Sequence, residues 1–357
     1  MISSCDILGS NVVTWRSTNP AIAAVDPQTG HVTGLSVGET RVLATSQRYG
    51  ELASINVFVY NDVNPTRDEA RAELRYYIEH VTKATRQYRS RDDAGHSMDG
   101  LKIIASPDAG GFIGVYHGYR DGTFDVHLAT SPDLMNWTWR TRLAPSASQP
   151  TIKAAGSAYV VVWETDGDNH LQFAYYDSRT ALLNAVASKT FAAPRTLSPC
   201  AEGTPNIYNG NSASVDVGFH YYWNCDVDRQ AKGTTDWISW SASAQPAIDD
   251  AILTYGVKGN IGDRDGVLTF RGHGFGLIEG QLTKGDWGAW RVFLYDYEAG
   301  TAELLNIQTD AGSTAFGNPT IEQVRVGARS AIVVTVFLFG EGARGDEGGS
   351  LIYYRIY

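Results

Sequence analysis

The sequence lacks the features that mark nucleic-acid-binding and membrane-spanning proteins. Its 29 Lys and Arg residues form no basic run and the formal net charge is −10, whereas nucleic acids and anionic membranes require clustered positive charge. No segment approaches the ~18 consecutive apolar residues of a transmembrane helix, and the start, MISSCDILGSN, lacks the charged and apolar regions of a signal peptide. We therefore expect no nucleic-acid partner and no membrane insertion, and we expect a monomer.

Cysteine is scarce as well, with three residues in 357, which is too few for a disulfide scaffold. Cys200 and Cys225 flank a predicted hairpin and could pair in an oxidising compartment, which would leave Cys5 over. Three buried thiols are an equally good interpretation, because free Cys is among the most buried residue types.

Motifs for several common chemistries are missing too. The sequence has no H-E-x-x-H, paired C-x-x-C, P-loop, G-x-S-x-G or dinucleotide-binding motif, so it predicts no cofactor and no zinc, nucleotide or serine-hydrolase chemistry. DRDG at Asp263 and DGDN at Asp166 share residues with calcium loops but lack the distal Glu of a complete site. We interpret both as solvated turns.

What the chain contains is typical of an all-β protein. It has 37 Gly, 12 Pro, 19 Tyr and 9 Trp with 19% charged residues, which favours short strands joined by tight turns. At 357 residues it is too long for one ordinary core, so a small domain and a large one are expected. The many aromatic rings also suit a carbohydrate partner, although most of them should belong to the core.

Residues 11–60 form short alternating runs separated by turns, which predicts a small antiparallel β-sandwich. The run VTWRSTNPAIAAVDPQTGHVTGLSVGETRVLATS, from Val13 to Ser46, closely resembles the bacterial immunoglobulin-like (Big2-type) domain, to which we assign residues 1–62. The resemblance implies a spacer or adhesion module of an extracellular or cell-surface protein. The strand ahead of Val12 is short, so we expect a fragment or a late start, with an export signal lost upstream.

Residues 64–90 predict a helix, the only one we expect. Thr66 can cap it, and Asp68 and Glu69 are favourable in its first turn. We interpret residues 63–97 as a helical connector and polar linker. One helical face is apolar and consists of Ala70, Leu74, Tyr77, Ile78 and Val81.

From Met98 onward a repeat appears. SQPTIKA, GTPNIYN and GNPTIEQ share the pattern x-P-x-I, and each is followed by a turn and a strongly apolar strand. With two further units that lack the proline, the repeats begin near residues 98, 148, 203, 265 and 317, a spacing that predicts a five-bladed β-propeller over 98–357. The last blade then needs a fourth strand, borrowed from residues near 90–97 or absent.

The segment SPDLMNW, from Ser131 to Trp137, reads as a structural hairpin turn. It also resembles the S-x-D-L-x-x-W signature of propeller glycosidases, namely glycoside hydrolase families 43, 32, 68, 117 and 130. For family 43 the resemblance implies an Asp base, an Asp that tunes the pKa of the acid, and a Glu acid on the first three innermost strands. Asp99 matches the base, Gln149 stands in place of the tuning Asp, and Glu202 matches the acid with one extra residue, Thr204, after it.

Other polar and aromatic residues recur at the expected mouth of the channel. His220 and His273 are either ligand-facing or satisfied histidines of the fold, and Glu279 is an alternative acid. Trp163 could provide a stacking face. The predicted substrate-binding set is Gln149, Trp163, Glu164, Asn206, His220, Arg229, His273, Glu279, Gln281 and Asn318.

These patterns predict a glycoside hydrolase that acts on a polysaccharide or oligosaccharide by Asp and Glu acid–base catalysis. Family resemblance alone makes furanosides, such as arabinofuranosyl units, the leading substrates. A carbohydrate-binding or adhesive propeller without catalysis is the alternative, favoured by Gln149 and by the adhesion-type module. The sequence leaves open whether a structural calcium ion lies in the channel.

Overall fold

The computed structural model shows an all-β protein that divides into two compact units, Met1–Glu73 and Leu74–Tyr357. Cys5 and the strand expected ahead of Val12 lie outside the described residues. None of the described helices has the length and apolar character needed to cross a membrane. The structure describes residues 13–36, 38–59, 65–107, 110–120, 122–262 and 264–357.

The first unit is a small immunoglobulin-like sandwich, as the sequence predicts. Asp26 fixes one turn, because its Oδ1 accepts the backbone N–H groups of Gln28 and Thr29 at 2.9 and 2.8 Å. Gly30 has φ +73°, and a Cβ there would lie 2.8 Å from the Trp15 ring, so a side chain at this position would displace the ring. Sheets β1-β4-β5 and β2-β3 consist of β1 (Val13–Ser17), β2 (Ala23–Val25), β3 (Val32–Gly34), β4 (Gly38–Ser46) and β5 (Gly50–Val59).

Helix α1 (Arg67–Glu79) begins after the predicted cap. Thr66 N–H donates to Glu69 Oε2 at 2.7 Å, and Glu69 N–H donates to Thr66 Oγ1 at 3.4 Å, a reciprocal capping box. A 3-10 turn (Val81–Lys83) and strand β6 (Thr85–Gln87) follow. The predicted apolar face is buried at Ala70, Leu74, Tyr77, Ile78 and Val81.

The second unit is a five-bladed β-propeller, as predicted. Within its described residues, five antiparallel sheets of four strands are present, and their innermost strands contact one another in a closed ring. The first blade consists of β7 (Asp99–Ala105), β8 (Phe112–Arg120), β9 (Thr123–Ser131) and β10 (Thr138–Ala144), and the second of β11 (Ala147–Ala155), β12 (Ala158–Thr165), β13 (Leu171–Tyr176) and β14 (Lys189–Ala192). The third blade consists of β15 (Glu202–Gly210), β16 (Val215–Trp223), β17 (Val227–Thr235) and β18 (Trp240–Ala244), and the fourth of β19 (Arg264–Phe270), β20 (His273–Gln281), β21 (Trp290–Asp296) and β22 (Thr301–Leu304). The fifth blade consists of β23 (Phe316–Val326), β24 (Arg329–Leu338), β25 (Gly349–Ile356) and β6.

Two short helices add to the single helix expected from the sequence. Helix α2 (Arg179–Leu183) lies between β13 and β14, and α3 (Pro246–Leu253) follows β18. Ser178 caps α2 by accepting the Ala181 N–H at 3.2 Å, and Pro246 starts α3, where its missing N–H costs nothing. Both helices are short enough to have been hidden in a strand-rich pattern.

The fifth blade borrows its outer strand, but not from the predicted segment. β6 pairs with β25, with Thr85 opposite Tyr354 and Gln87 opposite Ile352. Residues near 90–97 form a tight turn instead, in which Asp92 Oδ1 accepts the N–H groups of Ala94 and His96 at 3.0 and 2.9 Å.

The x-P-x-I motif encodes a β-bulge. In every innermost strand the register shifts near the strand's start, and the residue before the motif proline is left-handed: Gln149, Thr204 and Asn318 have φ +49°, +44° and +46°. The following proline has no N–H to leave unpaired at the bulge. Three polar residues are thereby held at the end of the channel where the innermost strands begin.

Apolar clusters fill the space between neighbouring blades, for example between the first and second and between the first and fifth. Trp137 of the predicted hairpin turn belongs to the second of these clusters, and its Nε1 donates to Leu134 O at 2.9 Å. Asp133 Oδ1 accepts the N–H groups of Met135 and Asn136. The SPDLMNW segment is thus a structural turn, as expected.

Candidate functional site

A cavity of about 790 Å³ opens where the innermost strands begin, which is a volume typical of ligand sites. Residues of all five blades line it, including Asp99, Gln149, Thr204, Glu279 and Asn318. The bulged strand starts therefore converge on one space, and this space is the candidate site.

The cavity is acidic. Among the described lining residues, the carboxylates of Asp99, Glu164, Asp228 and Glu279 face a single Lys or Arg side chain, Arg91. Arg91 itself donates to the Gly95 carbonyl at 2.7 Å. A neutral ligand is favoured over an anionic one, since a negative group would meet like charges.

Asp99 contacts three donor groups in the cavity. Its Oδ1 accepts the Gly100 N–H at 2.7 Å and the Asn318 side-chain amide at 2.8 Å, and its Oδ2 lies 3.3 Å from His117 Nε2. Gln149 N–H donates to His117 Nδ1 at 3.2 Å, so the proton of neutral His117 is on Nε2 and faces Asp99. Asp99 is thus oriented as an acceptor.

Glu279 is connected to Asp99 through one residue. Its Oε2 accepts the Asn318 backbone N–H at 2.7 Å, while the Asn318 side chain donates to Asp99 at 2.8 Å. A Cβ at Gly262 or Gly317 would lie 2.6 or 2.8 Å from a Glu279 oxygen, so glycine leaves room for the carboxylate. The left-handed Asn318 therefore bridges two carboxylates in the cavity.

Glu164 occupies a related environment one blade earlier. Its Oε2 accepts the Thr204 N–H at 3.1 Å and its Oε1 accepts the Asn169 amide at 2.7 Å. A Cβ at Gly203 would lie 1.9 Å from Glu164 Oε2. His117, Glu164 and Glu279 thus share one feature: each accepts the backbone N–H of the left-handed residue of the next blade.

His220 and Gln149 complete the polar lining. His220 Nδ1 shares a hydrogen bond with Thr204 Oγ1, and its Nε2 lies 3.5 Å from Asp228 Oδ1. Gln149 Nε2 donates to Asn318 Oδ1 at 3.2 Å. Of the residues expected from the sequence, the cavity brings together Asp99, Gln149, Glu164, His220, Glu279 and Asn318.

Glu202, the expected proton donor, does not line the cavity. It is 2% exposed, and its Oε1 accepts the backbone N–H groups of Thr196, Leu197 and Ser198 at 2.6, 2.5 and 3.1 Å. The carboxylate thus closes the loop that leads into β15. In this position Glu202 stabilises the loop conformation.

Five of the other expected binding residues also lie outside the lining. Trp163 is buried in the apolar cluster between the first two blades, and His273 pairs with Glu298 at 3.0 Å. Arg229 donates to the carbonyls of Asp228 and Gly259 at 2.6 and 2.9 Å.

Asn206 and Gln281 are held by protein groups as well. Asn206 Nδ2 donates to Asp265 Oδ1 at 2.7 Å. Gln281 Oε1 accepts the Gly285 N–H and its Nε2 donates to the Asp286 carbonyl, both at 3.1 Å. Gln281 therefore fixes the loop that follows β20.

Inside the channel lies a polar hub, formed by Asp265, Lys102, Asn206 and Ile321. Asp265 accepts from Lys102 Nζ at 2.6 Å, from Asn206 Nδ2 at 2.7 Å and from the Ile321 N–H at 2.7 Å. These partners come from the first, third and fifth blades. Among the described residues, no cluster of three or more His, Cys, Asp and Glu side chains could hold a metal ion.

The sequence interpretation missed His117 and the aromatic walls. His117 lies opposite Asp99 in the sheet register, as Glu164 lies opposite Ser148 and His220 opposite Gly203. A polar residue that interrupts an apolar second strand was the available signal, in VYHGY as in VGFHYY. Nothing comparable marked the aromatic lining residues Tyr119, Phe124, Trp287, Trp290, Phe337 and Phe339.

Several solved structures are similar to this chain at low identity. A thermostable family-43 glycoside hydrolase is 11% identical with a TM-score of 0.47, covering 76% of this chain and 92% of that chain. The Penicillium chrysogenum α-L-arabinanase complexed with arabinobiose is 10% identical, with a TM-score of 0.44 and coverages of 77% and 98%. The Podospora anserina α-L-arabinofuranosidase complexed with cellotriose is 13% identical, with a TM-score of 0.45 and coverages of 75% and 95%.

Comparison with curated proteins gives no match. One family model does match, over residues 9–57, and it describes the bacterial Ig-like domain (group 2). The match covers the segment whose motif resembled that domain. Residues 9–57 are thus similar to a bacterial Ig-like domain of group 2.

Proposed function

We propose that the second unit is a glycoside hydrolase in which Asp99 and Glu279 form the catalytic pair. The observation that carries the proposal is the Asn318 bridge, which holds both carboxylates in one acidic cavity by hydrogen bonds of 2.8 and 2.7 Å. Carboxyl groups joined by one asparagine are separated by roughly 5–10 Å, the range that glycosidases use.

Asp99 is the base in this proposal. Its two oxygens already face donors from Gly100, Asn318 and His117, which orient the carboxylate to hold a water molecule. Asp99 takes a proton from that water as the oxygen bonds to the anomeric carbon. Glu279 gives its proton to the glycosidic oxygen as the carbon–oxygen bond breaks, so one proton enters and one leaves the pair.

Glu164 and His220 line the same cavity and would bind sugar hydroxyls. Gln149 carries no charge, so in this proposal it positions Asn318 through its 3.2 Å hydrogen bond. Glu202 is given no catalytic role, because it does not line the cavity and its Oε1 holds the backbone N–H groups of a loop instead. Furanosides such as arabinofuranosyl units remain the leading substrate proposal.

Carbohydrate binding without turnover is the second candidate. The uncharged Gln149 stands where the family resemblance implies an acidic residue, and it favours this candidate. A cavity lined by amides, imidazoles and aromatic rings would bind a neutral sugar in either case.

Hydrolysis is tested on aryl furanosides, aryl pyranosides and neutral polysaccharides. We expect Asp99→Asn and Glu279→Gln each to lower kcat by about 10²–10⁴ on unactivated linkages, the range for loss of a general acid or base. Glu279→Gln should lose less on nitrophenyl glycosides, whose leaving group needs no proton.

Glu202→Gln is the matched control and should keep turnover while lowering thermal stability. Turnover that survives both Asp99→Asn and Glu279→Gln contradicts the assignment of the pair. Binding of the same sugars by a wild type that hydrolyses none of them supports the second candidate.

An extracellular location is part of the proposal. The disulfide between Cys200 and Cys225 is typical of proteins from oxidising compartments, and an Ig-like domain match precedes the propeller.

A further inference from the structure

Aromatic side chains stand on two sides of the bridged carboxylates. The first platform consists of Tyr119 and Phe124, whose ring centroids lie 4.9 Å apart. The second consists of Trp287, Trp290 and Phe339, with Phe339 at 5.2 Å from Trp287 and 6.0 Å from Trp290. All five residues line the cavity.

The first platform lies on the Asp99 side. Phe124 contacts His117 edge-on at 5.0 Å between centroids, and His117 Nε2 is 3.3 Å from Asp99 Oδ2. Tyr119 extends the platform outward and is 66% exposed, so its ring face is available to a ligand.

The second platform lies on the Glu279 side. Phe339 Cε2 and Glu279 Oε2 are 2.5 and 2.8 Å from the position that a Cβ would take at Gly317, so the ring edge lies beside the carboxylate. Trp287 is 52% exposed, so its ring is available to a ligand in the cavity that it lines.

Trp287 is also held in place before any ligand arrives. It follows Asp286, whose carbonyl accepts from Gln281 Nε2 at 3.1 Å and whose Oδ1 accepts the Gly288 N–H at 2.9 Å. Gln281 additionally accepts the Gly285 N–H. An exposed ring on a fixed loop binds with little loss of conformational entropy.

The geometry points to a neutral oligosaccharide as the ligand, with one sugar ring on Trp287 and another on Tyr119, on opposite sides of the Asp99–Glu279 pair. Sugar rings present apolar faces to aromatic rings, and the Glu164 and Asp228 carboxylates of the lining disfavour polyuronates. The inference rests on the proposed function in one respect, namely that the glycosidic bond to be cleaved lies between the two sugar rings.

The test is binding of linear neutral oligosaccharides of one to five units, derived from arabinan, xylan, galactan and cellulose, to the Asp99→Asn variant by calorimetry. We expect affinity to rise with chain length, and Trp287→Ala and Tyr119→Ala each to weaken binding of the longer chains about tenfold. Oligogalacturonates of equal length should bind at least tenfold more weakly than neutral chains.

Two exposed residues outside the cavity lining serve as controls. Trp223→Ala (47% exposed) and Tyr49→Ala (61% exposed) should bind as the parent does, and Trp287→Phe should retain most of the affinity. Folding of each variant is checked by circular dichroism.

Several outcomes overturn the inference: no neutral chain binds, affinity does not depend on length, or folded Trp287→Ala and Tyr119→Ala proteins bind as the parent does. Length-dependent binding by a wild type that hydrolyses nothing would refute hydrolysis and leave the platforms standing. Hydrolysis of long chains by Trp287→Ala and by Tyr119→Ala, each at an unchanged KM, would refute the two platforms and leave hydrolysis standing.

Discussion

His127 lies beneath the cavity wall, where it is buried against His96 and Trp139. The His96 and His127 rings stack at 4.3 Å between centroids, and Trp139 Nε1 donates to His127 Nδ1 at 3.2 Å. Burial, reinforced by the neighbouring His96, lowers the pKa of His127 to about 4 from 6.5, while Asp125 and Asp92 act in the opposite direction. A proton on this ring is therefore costly in the folded state.

The pH dependence of stability follows from that pKa. As pH falls below about 6.5 the unfolded chain protonates this residue, whereas the folded protein does so only near pH 4. The unfolded state thus binds more protons in this window. The free energy of unfolding therefore decreases by on the order of 3 kcal/mol as the pH is lowered from about 6.5 to about 4.

Urea denaturation between pH 7 and 4 measures this slope. His127→Asn, which keeps an acceptor for Trp139, should flatten it. His31→Asn, at an exposed position of the first unit, should leave it unchanged. An equal decline in the wild type and in His127→Asn would contradict the assignment to His127.

At the residue scale, the sequence was most informative where the repeat fixed a position. Asp99, Gln149 and Asn318 stand at bulges near the starts of innermost strands, which the repeat had located, and all three line the cavity. Glu202 differs because the direction of its side chain depends on the N–H groups of residues 196–198. That loop's conformation is a tertiary property, which spacing along the chain does not report.

At the scale of elements, a disulfide joins Cys200 to Cys225, with Cα atoms 5.7 Å apart. It ties the loop ahead of β15 to the turn between β16 and β17. The sequence left this pairing and three buried thiols as alternatives, because hairpin register determines which Cα atoms come within reach.

Loss of this bond should lower stability by about 3.5 kcal/mol, the loop-closure estimate for a separation of 25 residues. Thermal melts of Cys200→Ser/Cys225→Ser and of reduced wild type should show the same decrease, of several degrees. A Cys5→Ser background removes any contribution of Cys5. Reductant that destabilises the double variant as much as the wild type would contradict this account.

The segment near residues 90–97 shows why strands could be predicted more readily than their ends. Alternation identified most strands, but the segment near 90–97 was polar and unpatterned, so β6 was expected a few residues too late. Asp92 makes the difference, since its hydrogen bonds to Ala94 and His96 fold that segment into a turn. Helices α2 and α3 span 5 and 8 residues, too few for a helical period to emerge.

At the scale of the whole molecule, the polar hub joins blades that are far apart in sequence. Lys102 Nζ also lies 3.0 Å from Glu322 Oε2. Burial acts to lower the pKa of Lys102, but attraction to Asp265 and Glu322 outweighs it, so the pKa lies above its usual value. The ammonium group therefore stays charged and links the first, fourth and fifth blades.

Lys102→Met should destabilise the propeller by about 3–5 kcal/mol, because the buried Asp265 carboxylate loses its counter-charge. Lys102→Met/Asp265→Asn should recover part of this loss, as a double-mutant cycle by denaturant unfolding would show. Lys153→Met, at a half-buried position of the neighbouring strand β11, is the matched control. Additive losses in the cycle would contradict a direct coupling.

The pairing of β6 with β25 also sets an order of events during synthesis. Gln87 can pair with Ile352 only after roughly 260 further residues have been synthesised. Their synthesis takes about 13–50 s at ordinary translation rates. Closure of so long a loop is slow to initiate. Until it occurs, the ring of blades is not closed by this pairing, and the proposed sugar-binding surface, to which the blades of Tyr119 and Phe339 both contribute, is incomplete.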